Sequence, residues 1–193
     1  MKIGLFFGTF NPIHIGHLIL ANYCAEYTDL DEVWFVITPM SPFKQKKSML
    51  SNVHRLALAN IAVENYPKLK TSDLEFKLKQ PNYTVDTLVH FEEKYPDFQF
   101  NLIMGEDNLK SLHKWKNYEV IIENYKLYVY PRISSGTTEE ELMQHKNVVK
   151  VDAPIVQLSS TFIRKAIKEG KNCEPMLPQA VWKYIDEMNF YKS

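Results

Sequence analysis

Gly8-Thr9-Phe10-Asn11-Pro12-Ile13-His14-Ile15-Gly16-His17 is the stretch whose setting decides the fold. Ahead of it runs the apolar segment Ile3-Gly4-Leu5-Phe6-Phe7, and behind it a helical pattern from Leu18 to Glu26. A strand, a glycine turn and a helix start in that order are where an α/β fold holds a phosphate, because the strand's carboxyl end opens a crevice lined by free helix N–H groups. The two histidines, at i and i+3, sit close to one face of the first helical turn. An imidazole donates a hydrogen bond to a phosphate oxygen, more strongly when protonated. Two aimed at one phosphorus would stabilise charge that develops during in-line displacement. Gly8 and Gly16 would allow close approach, and Pro12 stiffens the loop between them. Local satisfaction or solvation is the competing account of such a pair.

Composition narrows the field. A chain of 193 residues suits a single domain spanning 1–193, large enough for its own core. Lys+Arg and Asp+Glu both number 23, so no overall field recruits nucleic acid or a membrane, and an anionic ligand must be held by local charges. Cys24 and Cys173 form no disulfide framework or metal spacing. The first strand begins at once, without space for a signal peptide, and no apolar run spans a bilayer; a cytoplasmic location is expected.

Further strands are expected at Glu32–Thr38, Leu69–Leu78, Phe100–Met104, Leu127–Tyr130 and Val148–Val151. Together with intervening helices they predict a Rossmann-like, doubly wound α/β fold, its mainly parallel sheet covered by helices on both faces. Lys44, after the second strand, overhangs the crevice as a phosphate contact. The helix from His54 to Asn65 has Asn52 as its expected N-cap, and Arg55 reads as an exposed helix arginine or a phosphate contact. Tyr83 and Thr84 open another helix, with Thr84 as the expected cap. Gly105 and Asp107 follow a strand end, where a carboxylate suits a ribose hydroxyl and equally suits a helix cap. Trp115 is either a stacking platform or core. Ser159-Ser160-Thr161 before a helical run, with Arg164 one turn in, offers hydroxyls, open N–H groups and a forked cation to a polyphosphate; an ordinary serine-capped helix fits the same residues. Trp182 and Ile185, in a closing helix from Ala180 to Phe190, are expected against the sheet.

GTFNPIHIGH resembles the signature of the nucleotidyltransferase superfamily, whose HIGH element is similar to that of class I aminoacyl-tRNA synthetases. Leu158-Ser159-Ser160-Thr161-Phe162-Ile163-Arg164 resembles its second signature. Tyr83-Thr84-Val85-Asp86-Thr87-Leu88 and Gly105-x-Asp107-Asn108-Leu109-x-x-Leu112-His113-x-Trp115 resemble the bacterial nicotinate mononucleotide adenylyltransferase branch. Phe43, where a histidine is common, and Glu106, where a small residue is common, depart from the pattern. The resemblance implies adenylyl transfer from ATP to nicotinate mononucleotide, giving nicotinate adenine dinucleotide and pyrophosphate in NAD synthesis. It implies catalysis by His14, His17, Lys44 and Arg164. ATP would meet Gly8, Thr9, Phe10, both histidines, Gly105, Asp107, Ser160, Thr161 and Arg164. The mononucleotide would meet Asn11, Lys44, Tyr83, Thr84 and Trp115. Mg²⁺ would ride on the nucleotide phosphates without a protein metal site. A homo-oligomer is compatible with the pattern. Phosphopantetheine or nicotinamide mononucleotide as the acceptor, and a non-catalytic nucleotide-binding protein of the same fold, are the alternatives.

Overall fold

The computed structural model describes residues 1–39, 49–132 and 140–192; Lys44 and Phe43 lie outside them. In chain order the elements are β1 (Lys2–Gly8), α1 (Ile15–Tyr27), β2 (Glu32–Ile37), α2 (Asn52–Val63), β3 (Leu69–Ser72), α3 (Thr84–Lys94) and β4 (Gln99–Gly105). They continue with α4 (Glu106–Lys110), α5 (Tyr118–Asn124), β5 (Leu127–Tyr130), α6 (Glu140–Met143), β6 (Val148–Lys150), α7 (Ser160–Lys168) and α8 (Gln179–Glu187). The strands form one six-stranded sheet in the order β3-β2-β1-β4-β5-β6, and every adjacent pair is parallel. Strand order reverses between β1 and β4, so a crevice opens at their carboxyl ends.

Period-2 alternation distributes each strand's side chains between two cores. Phe35 and Ile37 of β2, Ile103 of β4 and Tyr128 of β5 join one core with residues of α1, α2, α7 and α8. Trp34 and Val36, Leu102 and Met104, and Leu127 and Val129 join the other with residues of α3, α4 and α5. Helices therefore cover both faces, as the sequence pattern requires.

Four local expectations are corrected. The strand expected over 69–78 stops at Ser72 and gives way to a 3₁₀ turn, Leu74–Lys77. Leu74 joins the second core while Phe76 packs against the first, so the apparent one-face alternation is divided between two sides. Asn52 is the first helical residue of α2; the cap is Ser51, whose Oγ accepts from the His54 amide at 3.3 Å. Thr84 likewise lies inside α3, and Tyr83 is the cap position without a side-chain bond. Asp107 lies in the first turn of α4, behind the cap position Gly105. Ile185 is buried as expected. Its helix α8 is in contact with α2, and Trp182 is only half-buried against the first core.

Candidate active site

The loop between β1 and α1 sets the site. His14 is in extended backbone at the N-cap of α1, and its carbonyl accepts from the amides of His17 and Leu18 at 3.0 and 3.3 Å. In return its own amide donates to Nδ1 of His17 at 3.2 Å. That bond makes Nδ1 of His17 the acceptor and leaves Nε2 with the proton, free to donate to a ligand. The two imidazoles stack with centroids 3.7 Å apart and planes at 21°. Behind them the Phe10 ring meets His17 edge-on at 5.0 Å and packs on Phe6 and Phe35. A Cβ on Gly8 would lie 2.8 Å from that ring, so this glycine makes room for Phe10. The Phe10 side chain is thus a support for His17, and any contact it makes with ATP falls to its backbone.

Burial lowers the pKa of both histidines. His14, 3% exposed, is lowered to about 4, first by desolvation and then by the Arg132 cation. His17 falls well below its ordinary value through desolvation, then His14, then Arg132. Near neutral pH both rings are neutral single donors in the free protein, and an anion placed against them would raise both values. Nδ1 of His14 is buried with no hydrogen-bond partner among the described residues.

The second signature closes on the same loop. Ser159 caps α7, its Oγ accepting from the Phe162 amide at 3.2 Å. Ser160 Oγ donates to the Pro12 carbonyl at 2.9 Å. Arg164 donates through Nη1 to the Asn11 carbonyl at 2.7 Å and through Nη2 to Thr161 Oγ1 at 3.2 Å. Asn11 Oδ1 accepts from Tyr191 OH at 2.7 Å and the Leu50 amide at 3.1 Å. Part of what the sequence offers to phosphate is therefore already committed to shaping the loop.

Two adjoining cavities share His14, His17, Arg132, Leu158 and Ser159 as walls. The larger, about 510 Å³, adds Thr9, Asn11, Thr38, Pro39, Met49, Ser160, Thr161 and Arg164. The smaller, about 180 Å³, is walled on its other side mainly by Gly16, Leu20, Tyr130, Ile155 and Val156. The larger is lined by hydroxyls and cations, and the smaller mixes apolar side chains with Arg132, Tyr130 and Gln157. Gly8, Phe10, Gly105, Asp107, Tyr83, Thr84 and Trp115 line neither, although the neighbours of Phe10, Thr9 and Asn11, both line the larger. Asp107 reaches the cavity only through Arg132, its Oδ1 lying 3.8 Å from Nε. Tyr83 is an exposed ring with Lys116 Nζ 4.6 Å above it, and Trp115 packs against the second core. Among the described residues no group of three or more His, Cys, Asp or Glu side chains could hold a metal ion.

Two arginines depart from the sequence reading. Arg132 lines both cavities; its signal was its place just past the carboxyl end of β5, the same rule that singled out Lys44. Arg55 is fully buried, so it is neither the exposed helix residue expected nor a wall of the cavity. Its Nη1 donates to the carbonyls of Thr9 and Thr38 at 2.5 and 2.8 Å, Nη2 to Asn52 Oδ1 at 2.6 Å, and Nε to the Leu50 carbonyl at 3.3 Å.

The model of the cytidylyltransferase-like family matches residues 5–166. The chain is 63% identical over 191 residues to the protein named probable nicotinate-nucleotide adenylyltransferase in Christiangramia forsetii, covering 99% of this chain and 98% of that one. It is 60% identical over 192 residues to the protein of the same name in Flavobacterium psychrophilum, with both chains covered completely. Its fold is similar to that of Plasmodium falciparum nicotinic acid mononucleotide adenylyltransferase complexed with NaAD, with a TM-score of 0.81, 19% identity, and 99% and 97% of the two chains covered.

Proposed function

This chain belongs to the cytidylyltransferase-like family and, within it, to the nicotinate-nucleotide adenylyltransferases, and we propose that its crevice carries out their reaction through the residues described above. The adenylyl group of ATP passes to nicotinate mononucleotide, giving nicotinate adenine dinucleotide and pyrophosphate, a step in NAD synthesis. The observation that carries the assignment of the site is the stacked His14–His17 pair lining one cavity together with Ser160, Thr161 and Arg164.

An oxygen of the mononucleotide's phosphate attacks the α-phosphorus in line, and the bond to the bridging oxygen of pyrophosphate breaks. The attacking phosphate is already ionised near neutral pH, so the reaction needs no general base. Catalysis is positioning plus stabilisation of charge on the transferring group and on the departing pyrophosphate. His17, donating through Nε2, and His14 hold the α- and neighbouring phosphates. Ser160, Thr161 and Arg164, with Arg132 between the two cavities, take the pyrophosphate portion, and Lys44 completes it. Adenosine lies toward the smaller cavity, with Gly105 and Asp107 beyond Arg132. Mg²⁺ enters as part of the substrate, coordinated by phosphate oxygens and water. The first-turn amides of α3, left without a side-chain cap, suit the carboxylate of the pyridine, with Tyr83, Thr84 and Trp115 around it. A cytoplasmic location suits these substrates, and no helix among the described residues is long and apolar enough to cross a membrane.

Pyrophosphate release from purified protein with Mg-ATP tests this, comparing nicotinate and nicotinamide mononucleotides as kcat/KM. A strong preference for the nicotinate form is expected. Equal rates would remove the assignment of the α3 amides to the carboxylate. Release with neither would break the substrate assignment, and phosphopantetheine would be tried next.

A further inference from the structure

The Thr9–Asn11 turn is held in a shape the chain would not choose alone. Phe10 has φ of 43°, in the left-handed region that a bulky residue rarely enters. Such a conformation persists only where the surroundings fix it from both sides. On one side Arg164 and Ser160 grip the carbonyls of Asn11 and Pro12. On the other, Arg55 takes the Thr9 carbonyl, while Leu50 and Tyr191 hold the Asn11 side chain.

Arg55 is a buried cation that no carboxylate faces among the described residues; its donors go to the Thr9, Thr38 and Leu50 carbonyls and to the Asn52 amide oxygen. Those acceptors come from three separate places: the end of β1, the end of β2 and the entry to α2. Burying an unpaired charge is costly, and a simple packing role at this position would be better filled by an apolar side chain. α2 already has such residues in Leu58, Ala59 and Ala62. What the guanidinium supplies that they cannot is a fork of donors in fixed geometry. In a trans peptide the N–H points opposite to the carbonyl. Turning the Thr9 carbonyl toward Arg55 therefore turns the Phe10 amide away from it, and no acceptor among the described residues takes that amide.

We propose that Arg55 is a positioning residue for adenylyl transfer: it fixes the Thr9–Phe10 peptide so that the Phe10 N–H is presented to the transferring phosphoryl group. The inference rests on the adenylyl-transfer reading of the crevice. Arg55 touches no substrate; it acts through the loop. The orientation matters most when charge on the phosphoryl group is greatest, so its loss falls on kcat more than on ATP binding.

The test compares wild type, Arg55→Lys and Arg55→Met. Pyrophosphate release is measured at saturating Mg-ATP and nicotinate mononucleotide and expressed per folded molecule, with the folded fraction taken from circular dichroism at the assay temperature. Binding of a non-reactive α,β-methylene analogue of ATP is measured by calorimetry. The expected result is a fall in kcat of about a hundredfold in both variants, with analogue affinity within about threefold of wild type. Arg55→Lys keeps the charge and loses the fork, so it should not rescue turnover. Three results would overturn the proposal: kcat per folded molecule within twofold of wild type in Arg55→Lys, a loss confined to KM, or failure of both variants to fold, which would make Arg55 a folding residue. An inactive wild type would instead sink the substrate reading.

Discussion

The two ends of the sheet treat charge in opposite ways. At the amino ends of the strands, Asp29 accepts from Lys2 at 2.7 Å, from Lys126 at 3.4 Å and from Tyr128 OH. The two lysines share this one carboxylate, and the carboxyl of Asp29 is held well below its ordinary range, chiefly by the Lys2 hydrogen bond and then by Tyr128. At the carboxyl ends, Arg55, Arg132, Arg164, His14 and His17 converge; the acids beside Arg132 are Glu106, which accepts from its amide at 3.4 Å, and Asp107, 3.8 Å from its guanidinium. Two of those arginines are held by backbone carbonyls, which orient a guanidinium without neutralising it. Equal totals of acidic and basic residues therefore conceal a division: one end pairs its cations with a carboxylate of the fold, and the other is completed by a substrate's phosphates. Charge at the first end is settled within the fold, and charge at the second is left for a ligand.

The largest effect that would break this division is at His17. His17→Ala is expected to lower kcat by about 10²–10³-fold, the loss typical of one donor aimed at developing charge, while the folded structure survives. Turnover and thermal unfolding of the same preparation check it. Near-normal turnover would remove the donor role of Nε2.

A smaller effect tests the desolvation of the histidine pair. His14 has its pKa lowered from 6.5 to about 4. A group that the folded state keeps neutral contributes stability above its unfolded value, and that contribution is lost as pH falls from about 6.5 toward 4. The loss should be on the order of 2–3 kcal/mol for wild type. Urea unfolding at steps between pH 7 and 4 measures it, and His14→Gln should flatten that part of the profile. Adding the α,β-methylene analogue of ATP should move the histidine titration upward in an NMR series. A slope unchanged by His14→Gln would mean that the ring is not desolvated.

How much of this was legible follows from how local each signal is. The alternating strands, the glycine turn into α1 and the serine cap of α7 are written over a few consecutive residues, so fold and first signatures could be read directly. Arg55 could not. Its burial depends on four acceptors brought from Thr9, Thr38, Leu50 and Asn52, and a helix-surface pattern carries no mark of them. Arg132 had only its place after a strand, and Tyr191 none at all, since its partner Asn11 lies at the opposite end of the chain. Leu69–Leu78 misled because alternation describes one face only when the backbone stays extended, and here it turns after Ser72. The missed features are long-range polar contacts, the class that periodicity does not encode.

The smallest effect sharpens the comparison from the other end. Asp29 is half-exposed, its side chain 45% accessible, so its ion pairs with Lys2 and Lys126 are screened by solvent. They contribute little to stability. Asp29→Asn removes the charge while leaving Tyr128 OH an acceptor, and should lower Tm only slightly, with kcat and both KM values unchanged. The sign of its pH dependence differs in place from that of His14. A carboxyl held low in the folded state stabilises above its ordinary value near 3.8 and loses that contribution only as pH falls below it. Acid unfolding of wild type should therefore show two separate losses, the first from the substrate end and the second from the amino end, and Asp29→Asn should remove the second alone. A change in kcat in this variant would mean that the two ends are coupled through β1, and the division of labour between them would fail.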